Sequence, residues 1–401
     1  MKYIDEFRDG ELAQGIARRI AAEVQPGRRY AFMEFCGGHT HAISRYGIAE
    51  LLPAAVRMIH GPGCPVCVLP IGRVDQAIGL ALERGVILCT YGDVMRVPAS
   101  PAAGPSQGAG MATQSPRGQE SLSLMKAKAR GADVRMVYSA ADALKLAQQN
   151  PDREVVFLAI GFETTTPPTA LVLKTARAAG VGNFSVLCNH VLTPSAITHI
   201  LQSPEVRDYG TVPIDGFVGP AHVSIVIGAQ PYEHFAEEYR KPVVIAGFEP
   251  LDVMQAIWML VRQVNEGRAE VENEFTRAVS REGNLHAQAL VDEVLEVRPS
   301  FEWRGLGEVP RSALKIRPAY AEFDAEVRFG LGYRAVPDNK ACECGAILRG
   351  VKRPTDCKIF GTVCTPENPV GSCMVSSEGA CAAHYSYGRF RDIPVRVEAV
   401  A

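Results

Sequence analysis

The chain has 401 residues, 47% of them hydrophobic, with 42 basic and 44 acidic side chains spread evenly and a formal net charge of -2. That balance leaves no electrostatic footprint for nucleic acid or an anionic membrane. Eleven cysteines are too dilute for a disulfide-stapled secreted scaffold, and a chain of this length buries large cores without crosslinks, so the thiols are expected to do chemistry.

The N-terminal stretch MKYIDEFRDGELAQGIARRIAAEVQP mixes acids and bases at helical spacing and has no apolar leader core. No later segment approaches the ~18 uninterrupted apolar residues of a membrane span, so the expected location is the cytoplasm. From there one pattern recurs: a short apolar or β-branched run, a polar or glycine-rich loop, then a helical segment. The runs fall at 29–35 before CGGHTH, 55–59 before HGPGCPVC, 86–90 before YGDVMRVP and 134–138 before SAADALKLAQQ. They resume at 154–160 before GFETTTPPTALVL, 184–187 before CNHVLTPSAITHIL, 214–218 before GPAHVSIVIG and 242–245 before AGFEPLDVMQAIW.

Runs that are continuously apolar rather than alternating indicate parallel strands covered on both faces. The expected fold class is therefore α/β, with two parallel-sheet units of roughly four strands each. A division near Asn150 gives an N-terminal unit 1–150, a second unit 151–262 and a C-terminal part 263–401. A single eight-stranded barrel is the lesser alternative. Both architectures bind ligands in the loops that follow the strands' C-terminal ends, where every unusual motif here lies. Residues 98–120, rich in Pro, Gly, Ser and Ala, read as a long exposed loop or lid; they lack the Gly-Lys-Ser/Thr ending of a phosphate loop. Beyond about residue 265, charged helices are expected at 264–280 and 283–297, followed by a partly irregular, cysteine-bearing tail. That tail is expected to fold back beside the N-terminal cysteines, so that electrons can pass between the two groups of thiols.

In the tail four cysteines stand as Cys344-x12-Cys357-x6-Cys364-x16-Cys381. Structural zinc sites favour closely paired knuckles, which these gaps lack, so an iron–sulfur cluster is the leading expectation, with zinc or ordinary buried thiols as alternatives. Cys342 and Cys373 read as packed or spare thiols, and Cys89 and Cys188 as small core residues. Cys64-Pro65-Val66-Cys67 has the spacing of a redox dithiol; a metal half-site completed by Cys36, His39 and His41, or a structural pair, remain open. In Cys36-Gly37-Gly38-His39-Thr40-His41 the glycines permit close approach, the thiol suits soft or borderline metals, and the imidazoles can ligate or move protons. Gly161, Phe162, Glu163, Thr164 and Thr165 follow a strand as a possible ligand or partner loop, although capping of the next helix accounts for them equally well. His222 and Glu249 are loop residues with weaker signals.

CGGHTH, GPGCPVC, GFETT, GPAHVS, AGFEPLD and the tail pattern ending VSSEGAC occur in this order over essentially the whole chain. Together they resemble the HypD family of hydrogenase maturation factors. The resemblance implies two α/β domains facing across a cleft and a third, partly irregular α-rich domain carrying a [4Fe-4S] cluster. It implies a small HypC-like chaperone and a HypE-like cyanide donor as partners in assembling the Fe(CN)2CO group of [NiFe]-hydrogenase. By the same resemblance Cys36 holds the iron with its CN and CO ligands, Cys64 and Cys67 form the redox pair, and Cys344, Cys357, Cys364 and Cys381 ligate the cluster. His39 and His41 belong to the Cys36 motif, and Glu378 to the cluster-side one. An iron that accepts such ligands needs open coordination positions, so Cys36 is read as an anchor rather than part of a closed cage. The competing expectation is a ferredoxin-dependent disulfide reductase of a protein substrate, which has no need of a third thiol with two histidines.

Overall fold

The computed structural model describes residues 4–101, 121–203 and 214–388. Most of the expected loop or lid at 98–120 lies outside the described residues. All eight expected strands form: β1 (Tyr30–Glu34), β2 (Val56–His60), β3 (Ile87–Thr90), β4 (Val134–Met136), β5 (Val155–Gly161), β6 (Phe184–His190), β7 (Gly216–Pro220) and β8 (Val243–Ala246). Every residue of β1, β5, β6 and β7 is buried, as two-sided cover requires.

The strands do not divide near Asn150. One parallel sheet has the order β2-β1-β7-β8-β9, where β9 is Val271–Asn273, and the other has the order β4-β3-β5-β6. The chain therefore leaves the first sheet after β2, builds the whole of the second, and returns to pair β7 with β1. An apolar run records that a strand is buried; its neighbours are set by tertiary packing, so a cut in sequence order joined the wrong strands. Two separate open sheets also exclude the eight-stranded barrel.

This winding creates two places where strand order reverses, between β1 and β7 and between β3 and β5. Adjacent loops diverge at such points and open a crevice at the C-terminal strand ends. CGGHTH follows β1 and GPAHVS follows β7; YGDVMR follows β3 and GFETT follows β5. The fold thus carries its unusual loops to both switch points.

Helix α1 (Gly10–Glu23) starts at Asp9, whose carboxylate accepts Glu11 N at 2.8 Å and Leu12 N at 3.0 Å. It packs against the helix Pro250–Asn265, which covers one face of the five-stranded sheet. That second helix begins with proline at its first position and stops at Asn265, so no helix spans 264–280. Gly267 takes a left-handed φ of 69°, and the chain then adds β9 to the sheet edge. The expected helix at 283–297 is shorter, Leu285–Val294, and runs into β10 (Leu295–Val297).

The C-terminal part is less helical than expected. It contains the antiparallel pairs β10 with β13 (Leu314–Ile316) and β11 (Ser300–Trp303) with β12 (Gly307–Pro310), followed by short helical turns. It is packed on both sheets: Leu192 N donates to Ser312 O at 2.8 Å, and Arg304 N donates to Val68 O at 2.8 Å. Among the described residues no helix is long and apolar enough to cross a membrane.

Candidate functional site

Cys36 sits where β1 ends and helix α2 (Gly37–Tyr46) begins, at the N-cap, with extended φ and ψ of -146° and 127°. Its amide donates to Glu34 Oε2 at 2.9 Å, and Gly37 N donates to Gly63 O at 2.8 Å. The first cysteine loop is thereby laced to the second. Gly63 packs so closely that a Cβ there would stand 2.4 Å from Cys36 N and 2.6 Å from Phe35 C. Backbone cannot retreat as a flexible side chain can, so Gly63→Ala is expected to cost about 3 kcal/mol of stability in urea unfolding. An unchanged midpoint would mean that the two loops are not locked together.

The Cys36 thiol is buried, and its pKa is pushed well above the usual thiol range by burial first, then by the charges of Glu378 and Glu34. Such a thiol is a poor free nucleophile. It becomes a thiolate when a cation takes the proton's place, as metal binding requires. Glu378 belongs to the cysteine-bearing tail, yet its carboxylate lies against Gly37, with Oε2 only 2.6 Å from the position of a Cβ there. The resemblance places Glu378 in the cluster-side motif; in the structure its side chain lies toward the start of α2, beside Cys36. Its neighbour Ser376 donates to Asp93 Oδ2 at 2.9 Å, so this turn bridges the loop after β1 and the loop after β3.

The two motif histidines do not converge. On a helix, residues two apart face different sides. His39 is fully buried, with Nε2 3.0 Å from Ala246 O and 3.0 Å from Gly247 O, which fixes the proton on that nitrogen. Burial lowers its pKa and keeps the ring neutral. Phe248 lies between His39, at 4.8 Å, and His222, at 4.1 Å between ring centroids. His41 instead packs edge-on against Tyr387 at 5.2 Å. Glu249 is engaged elsewhere, paired with Arg8.

Cys64 and Cys67 are buried free thiols with their sulfurs 2.6 Å apart, within easy reach of ring closure. Beyond them the structure places a thiol that its sequence surroundings had marked as core. Cys373 lies beside the thiols of Cys344 and Cys67, which lower its pKa against the effect of burial. Cys344 in turn lies beside Cys342 and Cys381, whose pKa values it raises. Cys342 and Cys344 also feel Cys364, whose sulfur accepts Val370 N at 3.4 Å. Cys357 and Cys364 close one loop, through Phe360 N to Cys357 O at 3.0 Å and Cys364 N to Ile359 O at 2.9 Å. All of these except the half-exposed Cys342 lie in the same buried cluster as Cys64 and Cys67, and Cys342 packs against it.

Glycines make this sulfur packing possible. A Cβ at Gly371 would stand 2.3 Å from Cys342 Sγ and 2.7 Å from Cys344 Sγ; one at Gly379 would stand 2.8 Å from Cys67 Sγ. Ser372 Oγ donates to Cys67 O at 2.5 Å and ties the tail to the dithiol loop. The expected return of the tail beside the N-terminal cysteines is therefore present, although they are far apart in sequence.

The GFETT loop is built differently from a helix cap. Thr165 occupies the N-cap of Thr166–Ala178 without a capping hydrogen bond, and its hydroxyl donates to Phe162 O at 3.0 Å. Thr164 is half-buried, Phe162 packs near Trp303 at 6.1 Å, and Gly161 closes β5. Glu163 is buried and accepts Thr193 N at 2.8 Å and Thr193 Oγ1 at 3.0 Å. Tyr232, also buried, has its hydroxyl 3.3 Å from Ser224 Oγ.

Burial raises the Glu163 carboxyl from 4.5 to about 7. A raised carboxyl stabilises the fold below its unfolded pKa and loses that contribution as pH rises through the folded value. The span corresponds to on the order of 3 kcal/mol. The stability of wild type relative to Glu163→Gln should therefore fall between about pH 4 and about pH 8 in urea unfolding. A pH-independent difference would mean that Glu163 is not held in this way.

Fold and site together define a doubly wound, thiol-rich α/β protein. Residues 11–388 match the family HypD, described as "Hydrogenase formation hypA family". Hydrogenase maturation factor HypD of Cupriavidus necator is 77% identical over 395 residues, covering 98% of this chain and 99% of that protein. The protein of the same name from Rhizobium leguminosarum is 66% identical over 100% of this chain and 99% of its own length. That from Escherichia coli is 44% identical over 96% and 98%. The chain belongs to the HypD family of hydrogenase maturation factors.

Proposed function

We propose that this chain is the redox scaffold on which the Fe(CN)2CO group of [NiFe]-hydrogenase is assembled, with a HypC-like chaperone and a HypE-like cyanide donor as partners in the cytoplasm. The observation that carries this reading is the run of sulfurs from Cys344 through Cys373 to Cys67 and Cys64, whose dithiol end lies beside the loop that holds Cys36.

Cys344, Cys357, Cys364 and Cys381 would hold a [4Fe-4S] cluster. They are buried thiols from a single tail, as cluster ligation needs. Among the described residues no three His, Cys, Asp or Glu side chains converge on one point as a single-ion site would require, and a four-iron cluster is too wide to demand such convergence. Bound there, a cluster exchanges single electrons.

The dithiol would do the two-electron work. A thiocyanate on a partner cysteine, attacked by the two thiols of Cys64 and Cys67, yields the partner's free thiol, a Cys64–Cys67 disulfide, cyanide and one proton. The carbon–sulfur bond breaks, the sulfur–sulfur bond forms, and the thiol pair is oxidised by two electrons. Cyanide is then released next to Cys36, whose lone thiolate anchors the iron substrate and leaves coordination positions open. Close packing of Gly37 against the Glu378 side chain, of Gly38 against the Phe248 ring and of Gly63 against the Cys36 backbone keeps this loop narrow. A disulfide reductase would use the same dithiol and cluster but gives Cys36, Glu34 and Glu378 nothing to do.

An anaerobic infrared spectrum of the protein purified with its small partner tests this reading. Cyanide and carbonyl stretches are expected on the complex. Their absence from a complex with full iron content would overturn it.

A further inference from the structure

Glu34 is the last residue of β1 and is fully buried. Its carboxylate accepts Cys36 N at 2.9 Å through Oε2, and the Thr40 hydroxyl and His60 Nδ1, the latter at 2.8 Å, through Oε1. His60 ends β2 directly opposite Glu34 in the parallel ladder, and its ring reaches toward solvent. The backbone takes part as well: Glu34 O accepts Gly61 N at 2.9 Å. One buried side chain thus fixes the Cys36 amide, the first turn of α2 and the start of the dithiol loop.

A buried carboxylate is costly, and neutral acceptors take N–H and O–H donors at lower desolvation cost. What a carboxylate adds is charge. Here it lies on the fold side of Cys36, while Glu378 lies against Gly37 on the other, and the positive end of α2 offsets part of it.

We propose that Glu34, held by His60, is a positioning residue for the iron substrate: it sets the direction of the Cys36 sulfur and enriches that thiolate's electron donation to the metal. The proposal rests on the reading of Cys36 as the iron anchor. A second carboxylate buried beside one cysteine and hydrogen-bonded to its amide has no use in a dithiol reductase, whereas partners of a metal ligand commonly tune its basicity.

The test compares wild type, Glu34→Gln, Glu34→Asp and His60→Gln, each purified anaerobically with the small partner. Cluster iron and visible colour are measured alongside the infrared bands. In Glu34→Gln the cluster iron should be unchanged, the iron at Cys36 should drop several-fold, and the surviving cyanide and carbonyl stretches should move to higher frequency as donation weakens. His60→Gln should move them in the same direction by less, and Glu34→Asp should restore the frequency in part. Bands at wild-type frequency in Glu34→Gln, even with lower occupancy or a lower melting temperature, would reduce Glu34 to a structural role and overturn the proposal. Wild type with cluster iron but no bands would instead overturn the Cys36 reading, and this proposal with it.

Discussion

Replacing Cys344 or Cys381 with alanine is expected to abolish the brown colour and remove about four irons per chain, because thiolates that hold a cluster determine both its retention and the local fold. Cys344 is the sharper choice. It contacts Cys342, Cys373 and Cys381, so its loss opens the centre of the sulfur array and should also loosen the tail from the dithiol loop. Cys373→Ser should keep the iron and the colour, since Cys373 stands on the dithiol side of Cys344. Iron content with absorption at the visible band of the cluster measures all three variants. Full colour in Cys344→Ala would remove the cluster from these residues.

The second large effect concerns Cys36. With serine there, the cluster should survive while the separate iron and its cyanide and carbonyl bands disappear from the complex with the small partner. The variant is nearly isosteric, and the hydrogen bonds that place the loop run through the Cys36 and Gly37 amides, so the fold should be kept. Infrared bands at wild-type strength would take Cys36 out of the iron site. His39→Ala should weaken the bands without abolishing them: its ring ties α2 to the Ala246 and Gly247 carbonyls at the end of β8, a positioning role.

How much of this was legible in the sequence follows from what each signal measures. The strands were, because continuous burial on two faces leaves a continuous apolar run. Their grouping was not, since β1 and β7 are neighbours in the sheet but distant in the chain. β9 was invisible: Val271, Glu272 and Asn273 form a three-residue, half-buried edge with no periodicity to read. The motif cysteines stood out because glycine and proline packed around closely spaced thiols hold sulfur in a fixed place, which an ordinary core thiol does not need. Cys373 was not legible, because a lone thiol among Ser, Met and Val resembles core. The surroundings of Glu378 and His41 depend on tertiary geometry that sequence neighbourhood does not record. A turn sends Glu378 toward Cys36, and helical geometry turns His41 away from His39 toward Tyr387.

The central claim is that dithiol and cluster cysteines act as one redox unit, and a thiol count tests it most directly. Protein with the Cys64–Cys67 pair oxidised is treated anaerobically with a one-electron donor, and free thiols are counted before and after, in wild type and in Cys357→Ala. The account predicts a gain of two thiols per chain in wild type and none in the variant. An equal gain in both would mean that the cluster is structural and that electrons reach the dithiol by another route.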